Sequence, residues 1–271
     1  MNNEHSIKDL DLLYSDAKRL VNEVVNETID GDILKYISSI IEDFNKYWRG
    51  EDATIQVNNL IDIKNKIIEN RNIIGNIGEY ISMLVINYRD AQNSNGIVLP
   101  SFPTLSFNKL EEIENISTST TEIFMNNEIN NVTSTLNNII NTIEELNTSL
   151  ESTKTSIFNN WVQEDENRIY ASKMFTKVNT NNTNIINGIN DVINNINTSI
   201  ENYKNTTNKI SSMPTLESMI EDKPITNNIE QSEVIKSIET NIQKNKELNT
   251  TFKNRVYEEV KKELIDKGYV E

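Results

Sequence analysis

Three acidic pairs, Glu51-Asp52, Asp165-Glu166 and Glu258-Glu259, are the groups in this sequence best suited to act as general acids or metal ligands. Such work needs a positioned base, a nucleophile or a further ligand beside the carboxylates. The chain has no cysteine and one histidine, His5, which excludes thiolate catalysis, disulfides and zinc sites built on Cys or His. The pairs read instead as solvated helix termini. Gly75 and Gly78 sit inside a helical pattern, without the strand and lysine that a phosphate loop requires, and are expected to serve close helix packing. The sequence therefore offers no catalytic residue, no cofactor-binding residue and no metal ligand, and it does not read as an enzyme.

What remains is a pair of tryptophans in similar surroundings. Trp48 lies in Phe44-Asn45-Lys46-Tyr47-Trp48-Arg49-Gly50-Glu51-Asp52-Ala53, and Trp161 in Phe158-Asn159-Asn160-Trp161-Val162-Gln163-Glu164-Asp165-Glu166. Each ends a long apolar-periodic run, and each is followed by an acidic pair and another such run. Each indole could be a plug closing a helix pair or an exposed docking surface, since aromatics are favoured at interaction hot spots.

The elements that must position them are long helices. Ser6 is a candidate N-cap, followed by Leu10, Leu13, Ala17, Leu20 and Val24 in steps of three and four. Asp30-Gly31-Asp32 interrupts this stripe, which resumes at Ile33, Ile37, Ile40, Ile41 and Phe44, so a helix kinked at Gly31 is expected. After Arg49-Gly50, residues Leu60, Ile67, Ile74, Ile81 and Tyr88 recur every seven, accompanied by Ile63, Ile77 and Leu84, with Asn70 breaking the companion series. Ile129, Leu136, Ile143, Leu150 and Ile157 repeat that plan beside Val132, Ile139 and Leu146. Both are seams of helices packed lengthwise. The return stripe after Trp161 runs through Phe175, Val178, Ile185, Ile189, Val192, Ile196, Tyr203 and Ile210.

Pro100 and Pro103 stop the first hairpin in a linker over 96–108, expected to pack along the helices through Leu99, Phe102 and Phe107. A second linker over 213–227 carries Pro214 and Pro224, and a thinner stripe then predicts a C-terminal helix within 228–271, ending near Asp266 before Gly268. Apolar residues make up 36 % of the chain, with only four prolines and seven glycines, which fits long helices with narrow stripes. The expected fold is all-α: two tandem helical hairpins, 1–95 and 109–212, forming an elongated antiparallel four-helix bundle, plus the C-terminal helix.

A net charge of −15 speaks against nucleic-acid binding and against adsorption to anionic membranes. The most apolar window, Tyr80 to Tyr88, is less than half the roughly 20 residues needed to span a bilayer, so no stable membrane insertion is expected. No Sec-type signal is visible at the start of the sequence. The frequent asparagines read as codon bias.

Trp48-Arg49-Gly50, at mid-hairpin between apolar heptads in an acidic chain, resembles the WXG (Esx, ESAT-six-like) family of bacterial type VII secretion. Residues 6–92 are similar to one complete member, and residues 107–212 resemble a diverged second copy, in which Trp161-Val162-Gln163 lacks the glycine. The family's Tyr-x-x-x-Asp/Glu export spacing follows neither hairpin; only Tyr47 and Glu51 fit it. The resemblance implies a non-enzymatic protein, secreted without a Sec signal or cytoplasmic before export. It would be a secreted substrate, or a partner or chaperone for a secreted toxin, binding the secretion machinery or a co-secreted helical protein. Members commonly dimerise through two hairpins, so a tandem copy implies an internal pseudo-dimer, and self-association into a homo-oligomer stays open. The protein-binding and turn residues are then Trp48, Arg49, Gly50 and Trp161. Two other readings compete: a pore-forming or membrane-active helical toxin component, and a structural coiled-coil protein.

Overall fold

Apolar side chains at helical spacing dictate nearly all of the observed structure, which is all-α apart from two short strands. The computed structural model describes residues 7–94, 99–116, 122–162, 164–216, 219 and 250–266. It divides into two units, Met1–Thr207 and Asn208–Glu271.

In the first unit, α1 (Leu10–Lys18) begins at Asp9, whose carboxylate accepts from the Leu12 N–H at 2.9 Å. The capping residue is therefore Asp9; Ser6, the expected cap, lies outside the described residues. The chain stays helical through Arg19–Leu34 in the wider π form and continues as α2 (Lys35–Tyr47). No break occurs at Gly31. The buried apolar residues of the π stretch explain why: Leu20, Val24, Ile29 and Ile33, with Val21, Val25 and Leu34 beside them, step by four and five rather than three and four. The wider turn, with i→i+5 bonding, keeps that slower stripe on one face.

Strand β1 (Trp48–Arg49) makes the turn, and Gly50, at φ +132°, permits it because side-chain-bearing residues rarely adopt that conformation. Helix α3 (Glu51–Ser94) then returns along α1, the π segment and α2. Its heptad positions Leu60, Ile67, Ile74 and Ile81 are all buried.

From 99 to 116 the chain runs back over α3 without regular secondary structure, as a strap. The segment between the helical stretches is thus longer than the expected 96–108 linker, because helix resumes only at Ile129. Strand β2 (Phe124–Met125) pairs antiparallel with β1, and α4 (Ile129–Asn160) packs on α1, the π segment and α2. All of its predicted seam positions, Ile129 to Ile157, are buried.

Helix α5 (Glu166–Ser211) is capped by Asp165, whose carboxylate accepts from the Arg168 N–H at 2.8 Å. Its stripe from Phe175 to Ile196 is buried, but Ile210 is 61 % exposed, so the stripe is covered over a shorter length than expected. Burying each such aliphatic side chain contributes about 1.5–3 kcal/mol, which makes the shared core the main stabilising term.

Hydrogen bonds tie α5 to both α3 and α4. Asn70, the residue that broke the α3 companion series, is buried and donates to Asn182 Oδ1 at 2.7 Å; Asn182 donates to Asn147 of α4 at 2.6 Å, and Asn181 donates back to Asn70 at 2.8 Å. A satisfied polar layer of this kind fixes helix register at some cost in apolar burial.

In the second unit, α6 (Thr250–Asp266) lies within the range expected for the C-terminal helix. The rest of that helix's expected range lies outside the described residues. Among the described residues, no helix is long and apolar enough to cross a membrane.

Candidate protein-binding sites at the tryptophan turns

Both indoles are 1 % exposed. In this conformation neither presents a face to a partner; each is a plug, and the interest lies in what closes over it.

The two turns are built alike. At the first, Trp48 pairs with Met125, just before α4, and the Tyr47 carbonyl accepts from the Asn126 N–H at 3.0 Å. At the second, Trp161 pairs with Ile7, just before α1, and the Asn160 carbonyl accepts from the Lys8 N–H at 2.8 Å. Residue for residue, the chain just before α4 crosses Trp48 as the chain just before α1 crosses Trp161.

A tyrosine of α3 or α5 lies beside each plug. Tyr80 of α3 stacks on Trp161 with ring centroids 5.9 Å apart, and Tyr203 of α5 neighbours Trp48. Burial raises the pKa of both hydroxyls, and a nearby carboxylate adds to it: Asp165 for Tyr80, Asp52 for Tyr203, where contact with Trp48 pulls the other way. Trp48 Nε1 is buried and makes no well-formed hydrogen bond among the described residues.

Arg49 does not project into solvent as a free cation. Its guanidinium grips both oxygens of Glu122 at 2.7 and 2.8 Å and lies 4.7 Å from the Phe124 ring centroid, so it clamps β2 on β1. The Gly50 backbone passes close to the Glu122 carbonyl, which a Cβ would meet at 3.6 Å. Trp48, Arg49 and Gly50 thus act together, as the seat for the segment entering α4.

At the second turn, Arg168 holds the end of α4. It donates to the carbonyl oxygens of Trp161 at 2.6 Å and Phe158 at 3.2 Å, and stacks on the Phe158 ring. A cleft of about 290 Å³ opens beside Trp161, lined by Ile73, Ile77, Tyr80, Tyr170 and Met174 among others. Tyr170 is 63 % exposed at its rim. The sequence did not single out Arg168 or this cleft; the only signal was an arginine just inside a helix start.

Two of the acidic pairs lie at helix starts, Glu51 and Asp52 in the first turn of α3 and Glu166 in the first turn of α5 after its cap Asp165. Glu258 and Glu259 are instead exposed in the middle of α6, so that pair is solvated but is not a helix terminus. Among the described residues, no three acidic or histidine side chains converge as metal ligands would.

The strap packs on the helices through Phe102 and Phe107, as expected of the linker, and continues beyond it to Ile116. Tyr14 donates to the Pro103 carbonyl at 2.7 Å and stacks on Phe102; Arg89 packs over Phe102, and Arg71 over Phe107. Arg71, with its side chain only 5 % exposed, also pairs with Asp30 and donates to the Asn108 carbonyl at 2.7 Å. Gly75 leaves the space that the Phe107 ring fills.

Comparison with protein-family models, with curated proteins and with solved structures gives no match, so the paired tryptophan turns rest on their own geometry.

Proposed function

We propose that this chain is a non-enzymatic helical protein associated with type VII secretion, acting as a secreted substrate or as the partner of a secreted toxin. The observation that carries the reading is the matched construction of the two turns, each tryptophan being crossed by the chain that enters the other hairpin. An internal pseudo-dimer of two WXG-like hairpins has this reciprocal arrangement, because each half of an isologous pair contacts the other through the same surface.

On this reading the helical stretches 10–47, 51–94, 129–160 and 166–207 form an antiparallel four-helix bundle. Support comes from α3 and α4 both packing on the first stretch, and from α5 bonding to both of them. Trp48-Arg49-Gly50 is then a folding motif that seats the second copy. Recognition falls to helix faces and to the cleft beside Trp161.

The test is export. The chain, tagged internally in an exposed loop, is expressed in a bacterium with a type VII system and in the same strain lacking the system's membrane ATPase. Accumulation in the medium of the intact strain alone, with or without a co-exported helical partner, is expected. Equal amounts in both media, or none in either when partner and machine are present, would remove the secretion reading.

A further inference from the structure

We propose that Asn58, Asn65 and Asn72 of α3 form a binding site for an extended polypeptide segment, filled in cis by residues 110–116 and able to exchange that strap for an extended segment of a partner protein. The inference does not rest on the secretion reading.

Each of the three side chains clasps one strap residue through both its backbone groups. Asn58 accepts from the Ile116 N–H at 3.0 Å and donates to its carbonyl at 3.1 Å; Asn65 does the same with Ile113 at 2.9 and 2.8 Å; Asn72 does so with Leu110 at 3.2 and 2.8 Å. A primary amide has one acceptor and two donors, which matches the N–H and C=O of one residue. The arrangement reads backbone and ignores side chains.

The spacing is commensurate. Seven residues of α-helix advance about 10.5 Å, and three residues of extended chain advance about 9.3–10 Å. A heptad row of asparagines therefore meets every third residue of an extended chain running antiparallel to the helix. Any segment with a free N–H at each third position satisfies the same row.

What the clasped part lacks is contact with the buried core. Leu110, Ile113 and Ile116 are 39, 36 and 36 % exposed, and every strap residue from Asn108 to Ile116 is exposed. The strap's apolar anchors, Phe102, Leu105 and Phe107, lie on one side of the row, and the Arg49–Glu122 pair and β2 hold the chain on the other. The clasped stretch can lift off while both ends hold, which makes α3 available to a competing segment.

The probe is a fluorescein-labelled peptide of residues 107–116, titrated by polarisation into the full chain carrying Leu110→Pro, Ile113→Pro and Ile116→Pro, which removes the resident N–H donors. Saturable binding is expected. It should be weakened roughly tenfold or more when Asn58→Ala, Asn65→Ala and Asn72→Ala are added, and be similarly weak for the wild-type chain, whose own strap competes. A peptide with serine for Leu110, Ile113 and Ile116 should bind within roughly threefold of the parent, because only backbone is read. Equal affinity with and without the asparagines, loss of binding by the serine peptide, or no binding to a folded triple-proline chain would overturn the proposal. If the triple-proline chain does not fold, amide exchange on the wild-type chain decides. Slow exchange at 110, 113 and 116, fast exchange at 111, 112 and 114, and acceleration of the slow set by added peptide are expected. Uniform exchange, or no response to peptide, would overturn it.

Discussion

Gly75 and Gly78 lie one turn apart on α3 but face different neighbours, and alanine at each should have different consequences. A Cβ at 78 would stand 2.8 Å from Val21 Cγ2, 3.1 Å from the Ala17 carbonyl oxygen and 3.2 Å from Leu20 Cβ, so two helices must separate to admit it. Overpacking of this kind costs about 1–3 kcal/mol, offset by about 1 kcal/mol of helix propensity gained on replacing glycine. A Cβ at 75 would stand 2.6 Å from ring carbons of Phe107, the far end of a half-buried side chain on the strap. That ring can swing aside, and its partial burial, worth about 1 kcal/mol, roughly cancels the propensity gain. Urea unfolding followed by circular dichroism should therefore show Gly78→Ala less stable by about 1 kcal/mol and at most about 2, and Gly75→Ala within about 0.5 kcal/mol of wild type. Limited proteolysis should report the reverse order, with Gly75→Ala cut faster within 104–116. Equal loss of stability in the two variants, with strap cleavage unchanged in Gly75→Ala, would refute the assignment of separate roles.

Asn70→Leu alone removes the donor to buried Asn182 Oδ1 and one acceptor of Asn181, and should lower stability by about 1–3 kcal/mol, whereas Asn70→Leu with Asn182→Leu should recover part of that loss; a double-mutant cycle measures the coupling. Asp16, which accepts from Ser156 Oγ at 2.6 Å, has its pKa raised chiefly by burial, with the Ser156 bond and Arg19 opposing. A carboxyl whose folded pKa exceeds its unfolded value destabilises the fold when ionised, so Asp16→Asn should raise the melting temperature at neutral pH. That gain should shrink as the pH falls through the raised value toward the ordinary carboxylate range, which melting curves at stepped pH would show.

Much of the fold was legible because heptad repetition needs no tertiary information. The stripes through Leu60 and Ile74, and through Leu136 and Leu150, are buried because seven residues nearly close two helical turns. The π stretch was not legible: its steps of four and five look like a broken α-helical stripe, and Asp30 looks like an interruption although it faces Arg71. Asn58, Asn65 and Asn72 were lost among many other asparagines, since a polar residue at a heptad position gives no apolar signal and its partner is backbone. Tryptophan as a turn marker was readable from the apolar-periodic runs on either side of it. That each indole would be crossed by the chain entering α1 or α4 was not, because those contacts are distant in sequence.

The claim on which fold and function both depend is that two hairpins close on each other as an internal pseudo-dimer. Its most direct measurement is complementation between separately expressed fragments 1–95 and 99–215, the second carrying the strap. The account expects each fragment alone to be poorly helical, and the mixture to sediment as a one-to-one complex with more helicity than the sum of its parts. Fragments that stay apart, or that mix with no change in circular dichroism, would contradict it.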